Sequence, residues 1–385
     1  MNDMKKAIIR NGIDRLDEIL PEISGARIGL ITNQTGVDKS GRSTIDLLYK
    51  NKLLCCLLAP EHGVRDFKQA GEHIDSSTDS VTGVPIYSLY GGDVHIPRQV
   101  LESLDAVAFD IQDVGARFYT YTSTLAYAME DCAAAGRKMI VFDRINPIGA
   151  VRPEGSVLEA RFSSFVGRYE TATRHNLTVG EYARYINETE GIGCDLTIVK
   201  LDGWERDMLF ADTDLDWISP SPNIKSANTC FYYIGTCLAE GTNLSEGRGT
   251  ISPFELIGAP WLDAEKIASE MSSQGFSGVS FRSEEFVPTF SKYSGIKCNG
   301  IKLLMSDARE FLPFETALCL FELIRRTHKD FRFLPPHKEG EPYFADLLLG
   351  CDDWRKDDFD IRLFLKKQRA RIDLYKSKIK DFYLY

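Results

Sequence analysis

Short apolar runs alternate with amphipathic stretches over the first 150 residues. Four runs, at 27–33, 53–59, 106–113 and 139–144, have the length and unbroken apolar character of fully buried strands. Between them, STIDLLYKN and STLAYAMEDCAAAG have helical spacing, and Gly136 is the predicted C-cap of the second helix. Strands and helices in this alternation predict a parallel sheet covered by helices on both faces.

The pattern changes twice further along the chain. LTVGEYARYINET (177–189) predicts a helix in which Thr178 and Glu181 form a capping box, and CDLTIVKL predicts another strand. Residues 217–261 are rich in Ser, Pro, Gly and Asn with interleaved aromatic residues, which is typical of a functional loop. After about residue 250 the pattern indicates a smaller α+β domain.

Polar clusters follow the predicted strands of the first region. They occur at 32–35 (TNQT), 60–63 (PEHG), 110–113 (DIQD) and 143–144 (DR). Parallel strands end at a common edge of the sheet, and ligands of such sheets bind outside that edge. We therefore expect the four clusters to lie together and to form a site.

Composition narrows the class of protein. A chain of 385 residues exceeds the usual limit for one hydrophobic core, so two domains are expected, and a net charge of -10 argues against nucleic-acid or anionic-membrane partners. The chain contains neither the apolar core of a signal peptide nor a run of roughly 18 apolar residues. The nine cysteines form no CxxC pair and indicate a reducing compartment, so the cytoplasm is expected. A secreted or periplasmic chain trimmed of its signal peptide would look the same.

Cofactor motifs are absent from the sequence. The first strand is not followed by GxGxxG, and neither GxxxxGK[ST] nor GxSxG occurs. The six histidines show no HExxH spacing, and although His62 and His73 could assemble with nearby aspartates, no spacing requires it. We expect no metal and no cofactor.

The segment LLAPEHGVRD places Glu61 and His62 where a buried strand ends. Glycosidic cleavage uses an acid that protonates the leaving oxygen, and an apolar strand end favours the protonated form of a carboxyl group. His62 would add a second group that titrates near neutral pH. The alternative is a helix N-terminus or a solvated polar turn, which spacing alone favours slightly.

Three further segments are dense in polar and aromatic residues. They contribute Asp110, Gln112, Asp113, Arg117, Tyr119 and Tyr121 (DIQDVGARFYTYTSTL), Asp143, Arg144 and Asn146 (FDRINPIGA), and Asn243, Glu246 and Arg248 (GTNLSEGRGT). Such donors, acceptors and aromatic faces suit a substrate with many hydroxyls and an acidic group. The alternatives are a helix cap with an arginine–aspartate pair, an Asx turn, and a tight interdomain connector.

Together these segments resemble the exo-β-N-acetylmuramidases of glycoside hydrolase family 171. The resemblance runs in order from about residue 30 to 260, and APEHG, QDVGARFYTY and EGTNLSEGRGT are its most specific parts. It implies an α/β fold with a Rossmann-like catalytic domain over 1–250 and a smaller α/β domain over 251–385 that closes the active-site cleft. It also implies release of N-acetylmuramic acid from the non-reducing end of peptidoglycan fragments, without metal or nucleotide.

The resemblance assigns the catalytic acid to Glu61 in PEHG, and the other roles are our inference. We expect His62, Asp110 and Asp113 to assist catalysis, and the remaining candidates to bind substrate: Asn33, Gln112, Arg117, Tyr119, Tyr121, Asp143, Arg144, Asn146, Asn243, Glu246 and Arg248. An arginine suits the lactyl carboxylate, with Arg117 preferred to Arg248.

The expected partner is a small carbohydrate, either a muropeptide or a MurNAc–GlcNAc disaccharide, that reaches the enzyme during cell-wall recycling. The chain departs from the family where Asn176 follows His175 and where Ile145 replaces a common proline. The first departure bears on substrate contacts. Two alternatives stay open: a non-catalytic muropeptide-binding protein, and a hydrolase of another amino sugar. The sequence does not indicate an oligomeric state.

Overall fold

The computed structural model describes residues 6–65, 69, 77–336 and 338–385. The strands are, in chain order, β1 (Ile28–Thr32), β2 (Leu54–Ala59), β3 (Ser77–Thr78), β4 (Pro85–Ser88), β5 (Ala106–Asp110), β6 (Lys138–Phe142), β7 (Glu154–Val157), β8 (Ala172–Arg174), β9 (Asp195–Val199), β10 (Leu256–Ala259), β11 (Val279–Phe286) and β12 (Cys298–Met305). The α-helices are α1 (Leu16–Ile23), α2 (Thr44–Lys50), α3 (Arg98–Glu102), α4 (Tyr121–Ala135), α5 (Val179–Thr189), α6 (Ala227–Thr236), α7 (Ala264–Ser273), α8 (Pro313–Thr327), α9 (Phe344–Leu349) and α10 (Ile361–Ile379).

Seven strands form the central sheet in the order β3-β4-β2-β1-β5-β6-β9. Neighbouring strands within the described residues pair in parallel, except that β3 and β4 are antiparallel. Without β3, this is the Rossmann strand order, in which the chain reverses its direction across the sheet between β1 and β5. The predicted α/β fold with a covered parallel sheet is confirmed.

The central strands are buried on both faces because they carry apolar residues at successive positions. Leu30, Leu57 and Ala108 face the core beneath α2, whereas the next residue of each strand faces the core beneath α4. The sheet therefore needs helices on both sides, which is why its strands are continuous apolar runs rather than alternating ones.

Local signals begin α5 and end α4 where the sequence predicts. Thr178 caps α5 and Glu181 completes the capping box, while Gly136 ends α4 with a φ of 63°. A left-handed residue at this position is most easily supplied by glycine. The predicted strand at 106–113 ends earlier, at Asp110, so residues 111–113 belong to the loop that follows β5.

The C-terminal part contains an antiparallel sheet in the order β10-β12-β11, on which α7 packs. Helix α8 packs on α6, and α10 packs against β7 of the small antiparallel β7–β8 pair. This part provides the smaller α+β unit that the sequence predicts. Among the described residues, no helix has both the length and the apolar character needed to cross a membrane.

Candidate active site

A cavity of about 340 Å³ lies between the carboxyl edge of the central sheet and the segments that follow residue 220. Its volume falls in the ordinary range for a small-molecule site. The sheet side contributes residues that follow β2 and β4 or precede α4, and the other side contributes residues of α6, α9 and the loops beside them. Two more residues, Phe165 and Val166, come from the segment between β7 and β8. The lining residues are Glu61, His62, Tyr90, Phe118, Tyr119, Thr120, Phe165, Val166, Ser221, Asn223, Ile224, Tyr233, Cys237, Glu240, Arg248, Phe254, Phe344 and Leu348.

Glu61 and His62 form the middle of a tight turn directly after β2. The amide of Gly63 donates to the carbonyl of Pro60 at 3.1 Å, and His62 has a φ of 72°. Turns of this kind usually place glycine at the left-handed position, so the imidazole is held there at a conformational cost. Both side chains are only 8% exposed although they line the cavity. The segment is thus a turn, but a buried one that faces a cavity.

The Glu61 carboxylate is fixed by the start of α4. The Thr120 hydroxyl donates to Oε2 of Glu61 at 2.7 Å. The next hydroxyl, that of Tyr121, donates to the carbonyl of Pro220 at 2.8 Å and lies 3.4 Å from the carbonyl of Glu61. One helix end therefore orients the acid and also anchors the segment that closes the cavity.

Asn33 supports this anchor from the end of β1. Its amide donates to the Tyr121 hydroxyl at 3.0 Å and to the Pro220 carbonyl at 3.1 Å, while its own oxygen accepts from Thr35. Neither Asn33 nor Tyr121 lines the cavity. The sequence predicts substrate contacts for both, but the geometry favours a supporting role.

A row of aromatic rings forms part of the cavity lining. The ring centroids of Tyr119 and Tyr233 are 5.8 Å apart, and those of Tyr233 and Phe254 are 4.8 Å apart. Burial raises the pKa of both tyrosine hydroxyls well above the usual value, so they stay protonated. Tyr119 is the predicted substrate-binding tyrosine that the structure places at the cavity.

Arg248 lies at one end of this row, with its guanidinium 5.0 Å from the Phe254 centroid. It bonds Glu240 at 2.7 Å and Glu246 at 3.3 Å, and Lys292 completes the cluster at 3.2 Å from Glu246. Burial lowers the pKa of Arg248, but the two carboxylates more than offset this and raise it above the usual value. Two cations and two anions balance within the cluster. Glu246, predicted to bind substrate, does not line the cavity.

Asp110, a predicted catalytic group, is fully buried at the end of β5 and is committed to an ion pair. Its carboxylate accepts from Arg144 Nε at 2.6 Å and Nη2 at 3.0 Å, and from the Thr44 hydroxyl. Arg144 also donates to the carbonyl of Val37. Both residues are therefore occupied in joining β5, β6 and α2. Arg144 and Gln112 border a separate cavity of about 140 Å³ rather than the one at Glu61.

Asp113 and Gln112 support the loop that follows β5. Asp113 accepts from the Gly115 amide at 2.7 Å and bonds the buried His175 imidazole at 2.9 Å. The Gln112 side chain donates to the carbonyls of Asp113 and Ile145. Neither side chain lines the cavity at Glu61, so the geometry does not favour the expected roles in catalysis and substrate binding.

Arg117, the preferred partner for a lactyl carboxylate, faces away from the cavity. Its guanidinium donates to the carbonyls of Ser156 at 2.7 Å, Thr171 at 3.0 Å and Leu348 at 2.8 Å. Burial lowers the pKa of Arg117 to about 10. The side chain joins β7, β8 and α9, and Arg248 is the predicted arginine that the structure places at the cavity.

Three other predicted binding residues also stabilise loops. Asp143 accepts from the Gly180 amide and from the hydroxyls of Thr178 and Tyr385, and burial raises its pKa to about 7. Asn146 bonds the backbone of Ile148 and Leu177, and Asn243 bonds that of Asp330 and Arg332. None of the three lines the cavity.

Several lining residues were missed by the sequence reasoning. Thr120, Ser221, Asn223 and Glu240 lie inside the motif segments YTYTSTL, SPSPNI and AEGTNL, so their position in those segments was a usable signal. Phe344 and Leu348 of α9 lie outside every motif, and no local signal marks them. Among the described residues, no group of three or more His, Cys, Asp and Glu side chains is arranged to hold a metal ion. His73 and His337 lie outside the described residues.

Fold and site together define a doubly wound α/β protein that carries a buried acid in a cavity at the carboxyl edge of its sheet. The family models of exo-β-N-acetylmuramidase NamZ match this chain over most of its length, the N-terminal model at residues 28–228 and the C-terminal model at 231–385. The chain belongs to this family.

Three relatives agree with that assignment. The peptidoglycan β-N-acetylmuramidase NamZ of Bacillus subtilis (strain 168) is 45% identical over 334 residues, which cover 86% of this chain and 81% of the relative. Two crystal structures of DUF1343 family proteins from Bacteroides fragilis NCTC 9343 each cover 98% of this chain and 99% of their own. Their TM-scores are 0.89 and 0.77, at 32% and 26% identity.

Proposed function

We propose that this protein is a glycosidase that releases N-acetylmuramic acid from the non-reducing end of peptidoglycan fragments. Its family and its 45% identity to a peptidoglycan β-N-acetylmuramidase support this activity. The observation that carries the proposal is the position of Glu61. This acid lies in a buried turn at the carboxyl edge of the sheet and borders a cavity of a size suited to a sugar.

In this proposal Glu61 protonates the leaving oxygen of the glycosidic bond. Its Oε2 is fixed by the Thr120 hydroxyl, so Oε1 is the oxygen outside that contact and the one that we assign to the substrate. His62 and Tyr119 border the same cavity and contact the sugar. Arg248, in place of Arg117, is the guanidinium that we assign to the lactyl carboxylate.

The proposed substrates are small, namely a muropeptide or a MurNAc–GlcNAc disaccharide, because the cavity at Glu61 has a volume of only about 340 Å³. Such fragments arise during cell-wall turnover, which places the enzyme in recycling. The nine cysteines of the protein are all unpaired, which suits the reducing cytoplasm that we propose as its compartment. Nucleic acid and membranes are not proposed as partners.

Hydrolysis of a chromogenic β-muramoyl glycoside tests the proposal. We expect the wild-type protein to release the chromophore, and to release it much more slowly from the matching β-N-acetylglucosaminide, which lacks the lactyl group. Glu61→Gln keeps the shape of the side chain but removes the proton donor. Its rate on MurNAc–GlcNAc, whose leaving sugar needs a proton, should fall by about 10²- to 10⁴-fold, and its rate on the chromogenic glycoside should fall less. A folded wild-type protein without turnover on the muramoyl glycoside would contradict the proposed activity.

A further inference from the structure

A second carboxylate borders the cavity that contains Glu61. Glu240 belongs to the short 3-10 helix Cys237–Gly241, which directly follows α6. Among the described residues that line the cavity, Glu61 and Glu240 are the two acidic ones. They come from different parts of the chain, one from the end of β2 and the other from the segment that faces the sheet. The cavity thus brings together two acids that are distant in sequence.

The row of aromatic rings, Tyr119, Tyr233 and Phe254, extends from residues beside Glu61 to residues beside Glu240. At one end, Thr120 binds Glu61 and is adjacent in sequence to Tyr119. At the other end, Arg248 binds Glu240 and lies over Phe254, the last ring of the row. A sugar that occupies the cavity along this row would therefore have one carboxyl group near each end.

The two acids have partners of different charge. Glu61 accepts from a neutral hydroxyl, whereas Glu240 is paired with a guanidinium. Arg248 contacts Oε1 of Glu240 through Nη2 at 2.7 Å and Nε at 3.3 Å, so Oε2 lies outside this contact. Glycosidases require one carboxyl group that is protonated and a second that is charged. A neutral partner suits the first role and a cationic partner suits the second.

We propose that Glu240 is the second catalytic carboxylate of this enzyme and acts on the anomeric carbon while Glu61 acts on the leaving oxygen; this inference rests on the proposed function. The C1–O bond breaks, its electron pair stays with the leaving oxygen, and Glu61 supplies the proton. Glu240 either removes a proton from the water that attacks C1, or bonds to C1 itself until water replaces it and returns a proton to Glu61. The anomer of the first sugar released distinguishes these two forms.

The test compares Glu240→Ala with Glu61→Ala on two β-muramoyl substrates, one with nitrophenol and one with N-acetylglucosamine as leaving group. Loss of the acid should be much more severe for the sugar, which needs protonation, than for nitrophenol. Loss of Glu240 should lower both rates by a similar factor of about 10²- to 10⁴-fold. Azide added to Glu240→Ala should take the space of the carboxylate and raise the nitrophenol rate at least tenfold. Its attack on C1 should yield the glycosyl azide of N-acetylmuramic acid (muramoyl azide), which mass spectrometry detects.

Glu246→Ala is the matched control, because Glu246 binds the same arginine but does not line the cavity. Whatever the effect of the Glu246→Ala substitution on the rate, azide should neither accelerate this variant nor form muramoyl azide with it. Glu240→Gln preserves the side-chain volume and replaces Glu240→Ala in the rate comparison if the alanine variant does not fold. It should show the same loss on both substrates.

The outcomes separate this inference from the proposed function. If wild-type protein does not cleave either muramoyl substrate, the glycosidase proposal fails and the role of Glu240 fails with it. If the wild type is active but Glu240→Gln keeps more than a third of its rate, only the role of Glu240 is overturned. The same holds if a folded Glu240→Ala variant forms no muramoyl azide.

Discussion

The backbone at His62 shows how this chain turns a strand end into a site. A left-handed conformation at a non-glycine residue costs on the order of 1–3 kcal/mol, and the surrounding packing has to sustain it. Here the turn buries both Glu61 and His62 and holds them at the cavity. Replacement by glycine would remove the strain but would also remove an imidazole that borders the cavity. We infer that the ring contacts the sugar.

His62→Asn tests that inference, because asparagine tolerates the left-handed conformation and keeps the turn. We expect kcat/KM on a muramoyl glycoside to fall at least about tenfold while the melting temperature changes by only a few degrees, as measured by steady-state kinetics and thermal unfolding. His62→Gly is the control for backbone strain and should be at least as stable as the asparagine variant. Wild-type kinetics in His62→Asn would contradict a role for the imidazole.

At the level of single residues, sequence identified the strand ends but not the direction of each side chain. Asp110 and Arg117 have the residue types of a carbohydrate site, yet the first binds Arg144 and the second binds three backbone carbonyls. One of those carbonyls, that of Leu348, is 231 residues away in sequence. A side chain's choice between the cavity and such a distant acceptor depends on tertiary packing, which local pattern does not encode.

At the level of elements, the apolar runs and caps were sufficient to predict the central sheet. Strands such as β1 and β5 are buried at every position, so an unbroken apolar run identifies them whatever loops follow them. The small strands β3, β7 and β8 have only two to four residues and escaped prediction, since so short a segment has no measurable period. Their pairing depends on partners that are remote in sequence.

The Asp110–Arg144 pair provides an element-level prediction because it joins β5 to the segment after β6. Both side chains are almost fully buried, at 0% and 5% exposure. Asp110→Asn would leave the Arg144 guanidinium in the interior without a counter-charge, so we expect a loss of about 3–5 kcal/mol in the free energy of unfolding. Urea denaturation followed by circular dichroism measures this loss.

Asp105→Asn is the matched control at the other end of the same strand. Asp105 pairs with Arg27 at the surface, where both side chains are about half exposed. Water screens such a pair, so this variant should be far less destabilised than Asp110→Asn. Equal losses in the two variants would show that the buried pair has no special structural role.

At the level of the whole molecule, buried acids connect the N-terminal part of the chain to its C-terminal part. The Glu154 carboxylate at the start of β7 accepts from the amides of Phe314 and Glu315 at the start of α8. In the same way, Asp143 accepts from the hydroxyl of Tyr385 near the C-terminus. Sequence reasoning assigned Asp143 to substrate and overlooked Glu154, because these C-terminal partners are 160 or more residues away.

Glu154 makes the stability of the protein depend on pH. Burial raises its pKa to about 7, although Arg174 opposes this shift, from an ordinary value of 4.5. The folded protein therefore holds an extra proton between these pH values. Its stabilising contribution is complete below about pH 4.5 and is lost as the pH rises to about 7. The loss is on the order of 3 kcal/mol.

Glu154→Gln should remove this dependence, since glutamine stays neutral and its oxygen still accepts the two amide hydrogen bonds. Relative to wild type, the variant should become more stable as the pH is raised from 4.5 to 7, as measured by urea unfolding at each pH. Glu170→Gln, which removes a surface carboxyl group, is the control and should show a constant difference. A constant difference for Glu154→Gln would contradict the assignment.

Two isomeric disaccharides test whether the enzyme removes N-acetylmuramic acid from the non-reducing end. MurNAc–GlcNAc and GlcNAc–MurNAc contain the same sugars in opposite order, so they differ only in which sugar occupies the site beside Glu61. We expect mass spectrometry to detect free N-acetylmuramic acid from MurNAc–GlcNAc. We also expect slow or no cleavage of GlcNAc–MurNAc, and loss of the reaction in Glu61→Gln. Cleavage of both isomers at similar rates, or binding of MurNAc–GlcNAc by folded protein without cleavage, would contradict this activity.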